Sequence, residues 1–279
     1  MTDTSNLILG CDVSVIQGNI DWVSLFAANY RFAIIRCGVG NGGKDKNYDV
    51  NVAGAKAAGL KVMAYNFLYP LPVIPSQPTR DPKVQAKMHA DWTNGELCSI
   101  DLEWPVPQQF SHWNCNPQQI IDWTTTYLET YETLTGIRPL IYSYPSFLQT
   151  VKFPTEFGQK YKLWIASYTT TPVIPAPWTD WIMWQSSGGS HKLPDGVAVD
   201  IDYVKDLDLW DFVPAVSISV PPPLPVAAQP VILPPQPTSP PAVIATQVQS
   251  PLPVINTAQP SNSIWQTLVG VVSKIFKSA

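Results

Sequence analysis

Short apolar runs alternate with helix-period stretches along the first 211 residues, and the alternation stops there. Leu7–Val13, Phe32–Cys37, Leu60–Phe67 and Leu97–Glu103 read as four strands, because each is short, apolar and bounded by turn or helix-stop residues. Val50–Ala58 is alanine-rich and meets a stop at Gly59. Asp81-Pro82 has the form of an N-cap with proline in the first turn, opening a helix to about Trp92. Asn116-Pro117 repeats that signature. Ile120, Ile121, Leu128, Tyr131 and Leu134 then recur at helical spacing up to Gly136. Pro139–Tyr142, Tyr161–Ala166, Trp181–Gln185 and Val197–Ile201 complete a set of eight strands. Strands reached through helices predict an α/β fold, a parallel TIM-like (β/α) barrel. The links among the last four strands are too short or irregular for a full helix each, so the barrel is expected to be distorted.

Charge then divides the chain. The 279 residues carry 17 Lys+Arg and 21 Asp+Glu, a net charge of −4. Every acid lies at or before Asp211, together with 15 of the bases, which leaves this body at −6. From Phe212 to Ser273 there is no charged residue, and 14 of the 29 prolines fall in Pro214–Pro260. Three domains are expected: a catalytic barrel over 1–212, a Pro-rich uncharged linker over 213–261, and an amphipathic C-terminal helix over 262–279. An acidic body argues against a nucleic-acid partner. Three well-separated histidines and four cysteines without C-x-x-C spacing predict no metal and no cofactor, with Cys11, Cys37 and Cys98 as buried thiols. The start of the chain has no basic n-region, so no signal peptide is expected, and no apolar run is long enough to span a membrane.

The acids collect at strand ends. Asp12 closes the first strand, Asp101 and Glu103 the fourth, and Asp200 and Asp202 the eighth. In a barrel of this type, active sites lie at the C-terminal strand ends. Asp101 and Glu103, like Asp200 and Asp202, are two residues apart and so face one side of a strand. Crowded like charges raise one another's pKa, which keeps a carboxyl protonated as a general acid. Paired acids with ten tryptophans in the body point to glycoside hydrolysis, where one carboxyl protonates the leaving oxygen and another meets the sugar. Trp104 and Trp184, at strand ends, are the tryptophans expected in the sugar groove.

Several blocks recur in a fixed order: Gly10-Cys11-Asp12-Val13-Ser14 with Gln17-Gly18-Asn19-Ile20-Asp21-Trp22, then Asp45, Tyr48 and Asn51 at D-x-x-[FY]-x-x-N spacing. Ala64-Tyr65-Asn66-Phe67, Asp101-Leu102-Glu103, Pro139-Leu140-Ile141-Tyr142, Trp184-Gln185 and Val199-Asp200-Ile201-Asp202 follow, covering about residues 7–212. In this series the chain resembles the glycoside hydrolase family 25 muramidases, the Chalaropsis-type lysozymes. Asn66 stands where the family usually has His, and Val15-Ile16 where an aromatic is common. The resemblance implies a peptidoglycan hydrolase that cuts the β-1,4 bond from N-acetylmuramic acid to N-acetylglucosamine. It implies Glu103 as general acid, Asp101 as the partner that stabilises the centre or orients the substrate's acetamido group, and Asp12 and Asp200 as the rest of the catalytic set. Tyr65, Asn66, Trp104, Tyr142, Trp184 and Asp202 are the expected substrate-binding residues. The alternatives are a non-catalytic glycan-binding or virion-structural protein on the same barrel, and a chitinase-like glycosidase.

In the tail, Phe212–Ser261 reads as an extended spacer. Ser263–Ala279 has a broad apolar face with Trp265 and a narrow polar one with Lys274 and Lys277, suited to a membrane surface or to self-association. The expected place of action is the bacterial cell wall, reached by a phage lysin from the host cytoplasm or from a virion.

Overall fold

The computed structural model describes residues 4–211 apart from 41, 105–113 and 194–195. The linker and terminal helix expected over 213–279 lie outside the described residues.

Among the described residues, nine strands form one sheet: β1 (Ile8–Val13), β2 (Phe32–Val39), β3 (Gly43–Lys44), β4 (Lys61–Phe67), β5 (Cys98–Asp101), β6 (Leu140–Ser143), β7 (Leu163–Ala166), β8 (Met183–Lys192) and β9 (Ala198–Val204). Their order is β1-β9-β8-β7-β6-β5-β4-β2-β3, and β1 also pairs with β2. That extra pairing closes eight strands into a barrel and leaves β3 as a short hairpin on β2. All eight strands expected from the sequence are present.

The direction of the last strand corrects the expected parallel barrel. β1, β2 and β4 through β8 are parallel, but β9 runs antiparallel to both β8 and β1. The reason is the length of the link. β8 ends at Lys192 and β9 begins at Ala198. A parallel return needs a crossover of about a dozen residues or more, whereas a short turn permits only a hairpin. Gly196 makes that turn at φ 87°, with its N–H donated to Leu193 O at 2.8 Å. Asp200 and Asp202 therefore do not close their strand. Asp200 lies near its start, and the reversal carries it to the barrel end where the other strands finish.

The helices are α1 (Trp22–Ala27), α2 (Tyr48–Ala57), α3 (Pro82–Thr93), α4 (Pro117–Thr135), α5 (Pro145–Val151) and α6 (Thr155–Lys160). Their ends follow the cap chemistry. Asp81 accepts from Lys83 N at 2.8 Å. Asn116 and Gln119 exchange side-chain-to-backbone bonds at 2.9 and 3.0 Å, a capping box. Gly136 ends α4 in the left-handed region. The two short helices α5 and α6 share one link, between β6 and β7, and among the described residues no helix lies between β7 and β9. The distortion expected in the second half is thus located there.

One apolar cluster joins the barrel interior to α4 and α5, and a second packs α1 and α2 on the outside of β1, β2 and β4. Phe32 and Trp210, with ring centroids 5.3 Å apart, lie together at the barrel end away from the acids. Trp210 also donates to Val62 O at 2.7 Å. A side chain at Gly10 would overlap the Phe32 ring, so this inward position of β1 has no room for one. All four cysteines are buried and free. Among the described residues, no helix is long and apolar enough to cross a membrane.

Candidate active site

The inward positions of the strands build the site. On β1, Asp12 is paired in register with Asp200 of β9, and Gly10 with Asp202. On β5, Asp101 is the last strand residue. The chain stays extended beyond it because Leu102 N donates to Tyr142 O at 3.0 Å, while Leu102 O accepts from Ser143 Oγ at 2.6 Å. Glu103 thus shares the inward side with Asp101, and Leu102 between them is buried in the outer packing. The barrel brings together the acids of three strands that are nearly 200 residues apart at the extremes.

Burial sets their protonation. Asp12 is pushed up to about 6 by burial, against the pull of its Gln185 hydrogen bond. Glu103 is pushed up to about 7 by burial and then by the Asp12 charge. Asp101 lies well above the usual carboxylate range, through burial first and then the charges of Glu103 and Asp12. Asp200 and Asp202 are raised the same way, through burial first and Asp12 next. Five acids crowded together cannot all ionise, so the site holds carboxyl protons near neutral pH.

Around them stands an aromatic and amide frame. Tyr65 and Tyr142 face the interior, and both meet Trp164, with ring centroids at 6.3 and 4.5 Å. Trp164 Nε1 donates to Asp202 Oδ1 at 2.9 Å. Gln185 Nε2 donates to Asp12 Oδ2 at 2.7 Å. Asp200 Oδ1 accepts from Gly189 N. Trp104 is partly buried beyond Glu103 and packs on Phe147, centroids 4.7 Å apart.

Three expected sugar contacts, Asn66, Trp184 and Asp202, are corrected. Asn66 is fully buried, and its Nδ2 donates to Cys98 Sγ at 3.3 Å. Tyr65 takes the inward face of β4, so strand alternation turns Asn66 outward, into the packing behind the sheet. Trp184 is only 3% exposed, donates to Ser167 O at 2.8 Å, and packs against Trp181 and Tyr203. Its neighbour Gln185 takes the inward face, and Trp184 is a core residue. Asp202 is inward but fully enclosed beneath the mouth, which removes it from direct contact with a sugar.

Sequence reasoning missed Gln185, Trp164 and Tyr168 as site residues. For the first two a signal existed: a polar Gln in an apolar strand, and a Trp two residues before the end of another. Tyr168 lies in an irregular link with no periodicity to read. The D-x-x-[FY]-x-x-N motif proves to be scaffold in part. Asp45 accepts from Arg36 Nε at 2.9 Å, Val15 N at 3.0 Å and Asn47 N at 2.9 Å. It ties the turn after β1 to the β2–β3 hairpin, and Tyr48 donates to Thr93 O at 3.2 Å.

The sequence profile described as Glycosyl hydrolases family 25 matches residues 11–192. The chain belongs to this family. Lysozyme M1 of Streptomyces globisporus is 28% identical over 205 residues, spanning 72% of this chain and 67% of that protein. The N,O-diacetylmuramidase of Chalaropsis sp is 22% identical over 215 residues, spanning 72% of this chain and 98% of the relative. The bacterial lysozyme of Streptomyces coelicolor superposes with a TM-score of 0.65 at 24% identity, covering 73% of this chain and 97% of that one. The barrel is therefore the family 25 lysozyme fold, and the family 25 chain is a glycoside hydrolase.

Proposed function

We propose that Glu103 protonates the glycosidic oxygen of a peptidoglycan strand, with Asp101 as the carboxyl that meets the reacting sugar. The chain is a peptidoglycan hydrolase of the muramidase class, and the bond cut is the β-1,4 link from N-acetylmuramic acid to N-acetylglucosamine. The observation that carries the residue assignment is Glu103 itself. It is half-buried beside Asp101, and its carboxyl is pushed up to about 7, so it holds a proton at neutral pH and is partly open to solvent. Asp101 is buried with Oδ1 unpaired by any donor among the described residues, which suits an oxygen that meets the sugar or its acetamido group. Asp12 supplies the negative charge that stabilises developing positive charge on the sugar ring. Tyr65 and Tyr142 line the floor beneath, and Trp104 offers a ring face at the rim.

The test is release of reducing sugar ends from purified peptidoglycan, comparing the parent with Glu103→Gln. Release by the parent and a loss of about 10²–10⁴-fold in the variant is the expected result. No release by the parent, or equal release by both, overturns the assignment. Cleavage of chitin oligomers in place of peptidoglycan would favour a chitinase-like reading.

The catalytic unit in this reading is 1–212. Residues 213–261 act as a spacer and 262–279 as a helix that holds the enzyme at a membrane surface beside the wall, the arrangement of a lysin. This part rests on composition: an uncharged Pro-rich run, then an apolar face with Trp265 opposite Lys274 and Lys277.

A further inference from the structure

Gln185 sits at the centre of a hydrogen-bond set that joins three strands of the barrel and the link after β7. It is 2% exposed, on β8, in register with Ala166 of β7 and Asp202 of β9. Its Oε1 accepts from Tyr142 Oη at 2.9 Å and from Tyr168 Oη at 2.8 Å. Its Nε2 donates to Asp12 Oδ2 at 2.7 Å. The set has one direction. A carbonyl oxygen has two lone pairs, and the two hydroxyls fill both. Turning the amide over would set its oxygen against the Asp12 carboxylate, which can only accept. Ionised Asp12 therefore takes the N–H end of Gln185, and the two hydroxyls, able to donate or accept, donate to Oε1.

We propose that Gln185 is a positioning residue that holds the Asp12 carboxylate at the barrel mouth, its amide being fixed from behind by Tyr142 and Tyr168. The proposal rests on the reading above in which Asp12 belongs to the catalytic set.

The consequence runs through charge. Asp12 is faced by Asp200 and Asp202 from β9, by Asp101 of β5 and Glu103 just beyond it, and by Arg36 from β2. Tyr65 of β4, Tyr142 of β6 and Tyr168 complete the ring of titratable groups around it, and Cys11 lies on the other face of β1. The Asp12 charge is among the causes that raise Glu103, Asp101, Asp200 and Asp202. Of the contacts that favour ionised Asp12, the bond from Gln185 is the largest. Remove that bond and Asp12 keeps its proton to higher pH. The neighbours then feel less negative charge, and the proton on Glu103 is held less firmly. One buried amide thus separates the acid that stays charged from the acid that stays protonated. A charge-assisted hydrogen bond between buried groups has the strength for this.

The experiment uses full-length Gln185→Leu, Gln185→Glu and Tyr168→Phe, each with a thermal melt. Gln185→Glu keeps the size and both tyrosine bonds but replaces the N–H donor with an acid oxygen. Two readouts are taken: kcat and KM on peptidoglycan across pH, and the ¹³C-carboxyl NMR titration of Asp12, assigned with Asp12→Asn. We expect Gln185→Leu to lower kcat by about 10–100-fold with KM within about threefold. The Asp12 titration and the low-pH limb should move up together by about half a unit or more. Gln185→Glu moves both at least as far, and Tyr168→Phe moves both the same way by less. Should Gln185→Leu fail to fold, the other two variants decide. Unchanged Asp12 titration and an unchanged low-pH limb in folded Gln185→Glu overturn the proposal. An inactive parent overturns the catalytic reading instead, while the NMR titration still reports whether Gln185 controls Asp12.

Discussion

Asp12 and Asp200 stand directly opposite each other across the antiparallel β1–β9 pair. Like charges at directly opposed positions of a sheet are destabilising, and here Asp12 is buried and Asp200 half-buried. The Asp200 carboxyl responds by staying protonated well above its ordinary range, through burial first and the Asp12 charge next. An acid raised in the folded state stabilises fully below its unfolded pKa of roughly 4, and that stability is lost as pH rises through the folded value. Asp200→Asn keeps an oxygen for Gly189 N and cannot ionise. It should raise Tm at pH 8 and leave it nearly unchanged at pH 4, at about 2–4 °C for each kcal/mol gained. An equal shift at both pH values, in melts followed by circular dichroism, counts against the charge argument.

Activity should follow a narrow bell in pH. Asp12 at about 6 must lose its proton, so kcat/KM rises through that value. Glu103 at about 7 must keep its proton, so kcat/KM falls above it. The two limbs belong to the coupled set of acids as a whole. A profile flat from pH 5 to 9 on soluble glycan fragments would remove this assignment of acid and base.

Glu103→Gln should be less active and more stable. The raised carboxyl costs folding free energy once pH exceeds about 7, on the order of 3 kcal/mol from its shift. The neutral amide removes that cost. Urea unfolding at pH 8 should show a higher midpoint for the variant, and at pH 4 the two midpoints should coincide. A variant less stable at pH 8 would mean that Glu103 is held by contacts that favour its ionised form.

Trp184 separates packing from binding. Its ring lies in the core and its N–H is used by Ser167 O. Trp184→Phe should lower the unfolding midpoint while KM for peptidoglycan stays within about twofold, and truncation to Ala should cost about 3–5 kcal/mol. A raised KM with unchanged stability would return this residue to the sugar groove.

The proposed roles of the tail predict a split. Removing Ser263–Ala279 should leave hydrolysis of isolated peptidoglycan unchanged and reduce binding to anionic phospholipid vesicles. Undiminished vesicle binding by the shortened chain would end the membrane reading of that segment.

Much was determined by the sequence alone. Eight apolar runs placed eight strands, because a strand is short and its burial is written locally. Asp81-Pro82, Asn116-Pro117 and Gly136 set helix ends, because a cap is a contact within a few residues. Asp101 and Glu103 were legible as a pair, since a spacing of two on an extended chain gives one face. Only the tertiary structure decided the rest. The reversal of β9 depends on where Lys192 and Ala198 lie in space, and it is what brings Asp200 opposite Asp12. Strand alternation made either Tyr65 or Asn66 inward, and either Trp184 or Gln185. Barrel closure chose, because only the closed sheet has an inside. The protonation of the acids is the most remote from sequence. It comes from burial and from charges contributed by β1, β5 and β9, whose proximity exists only once the barrel has closed.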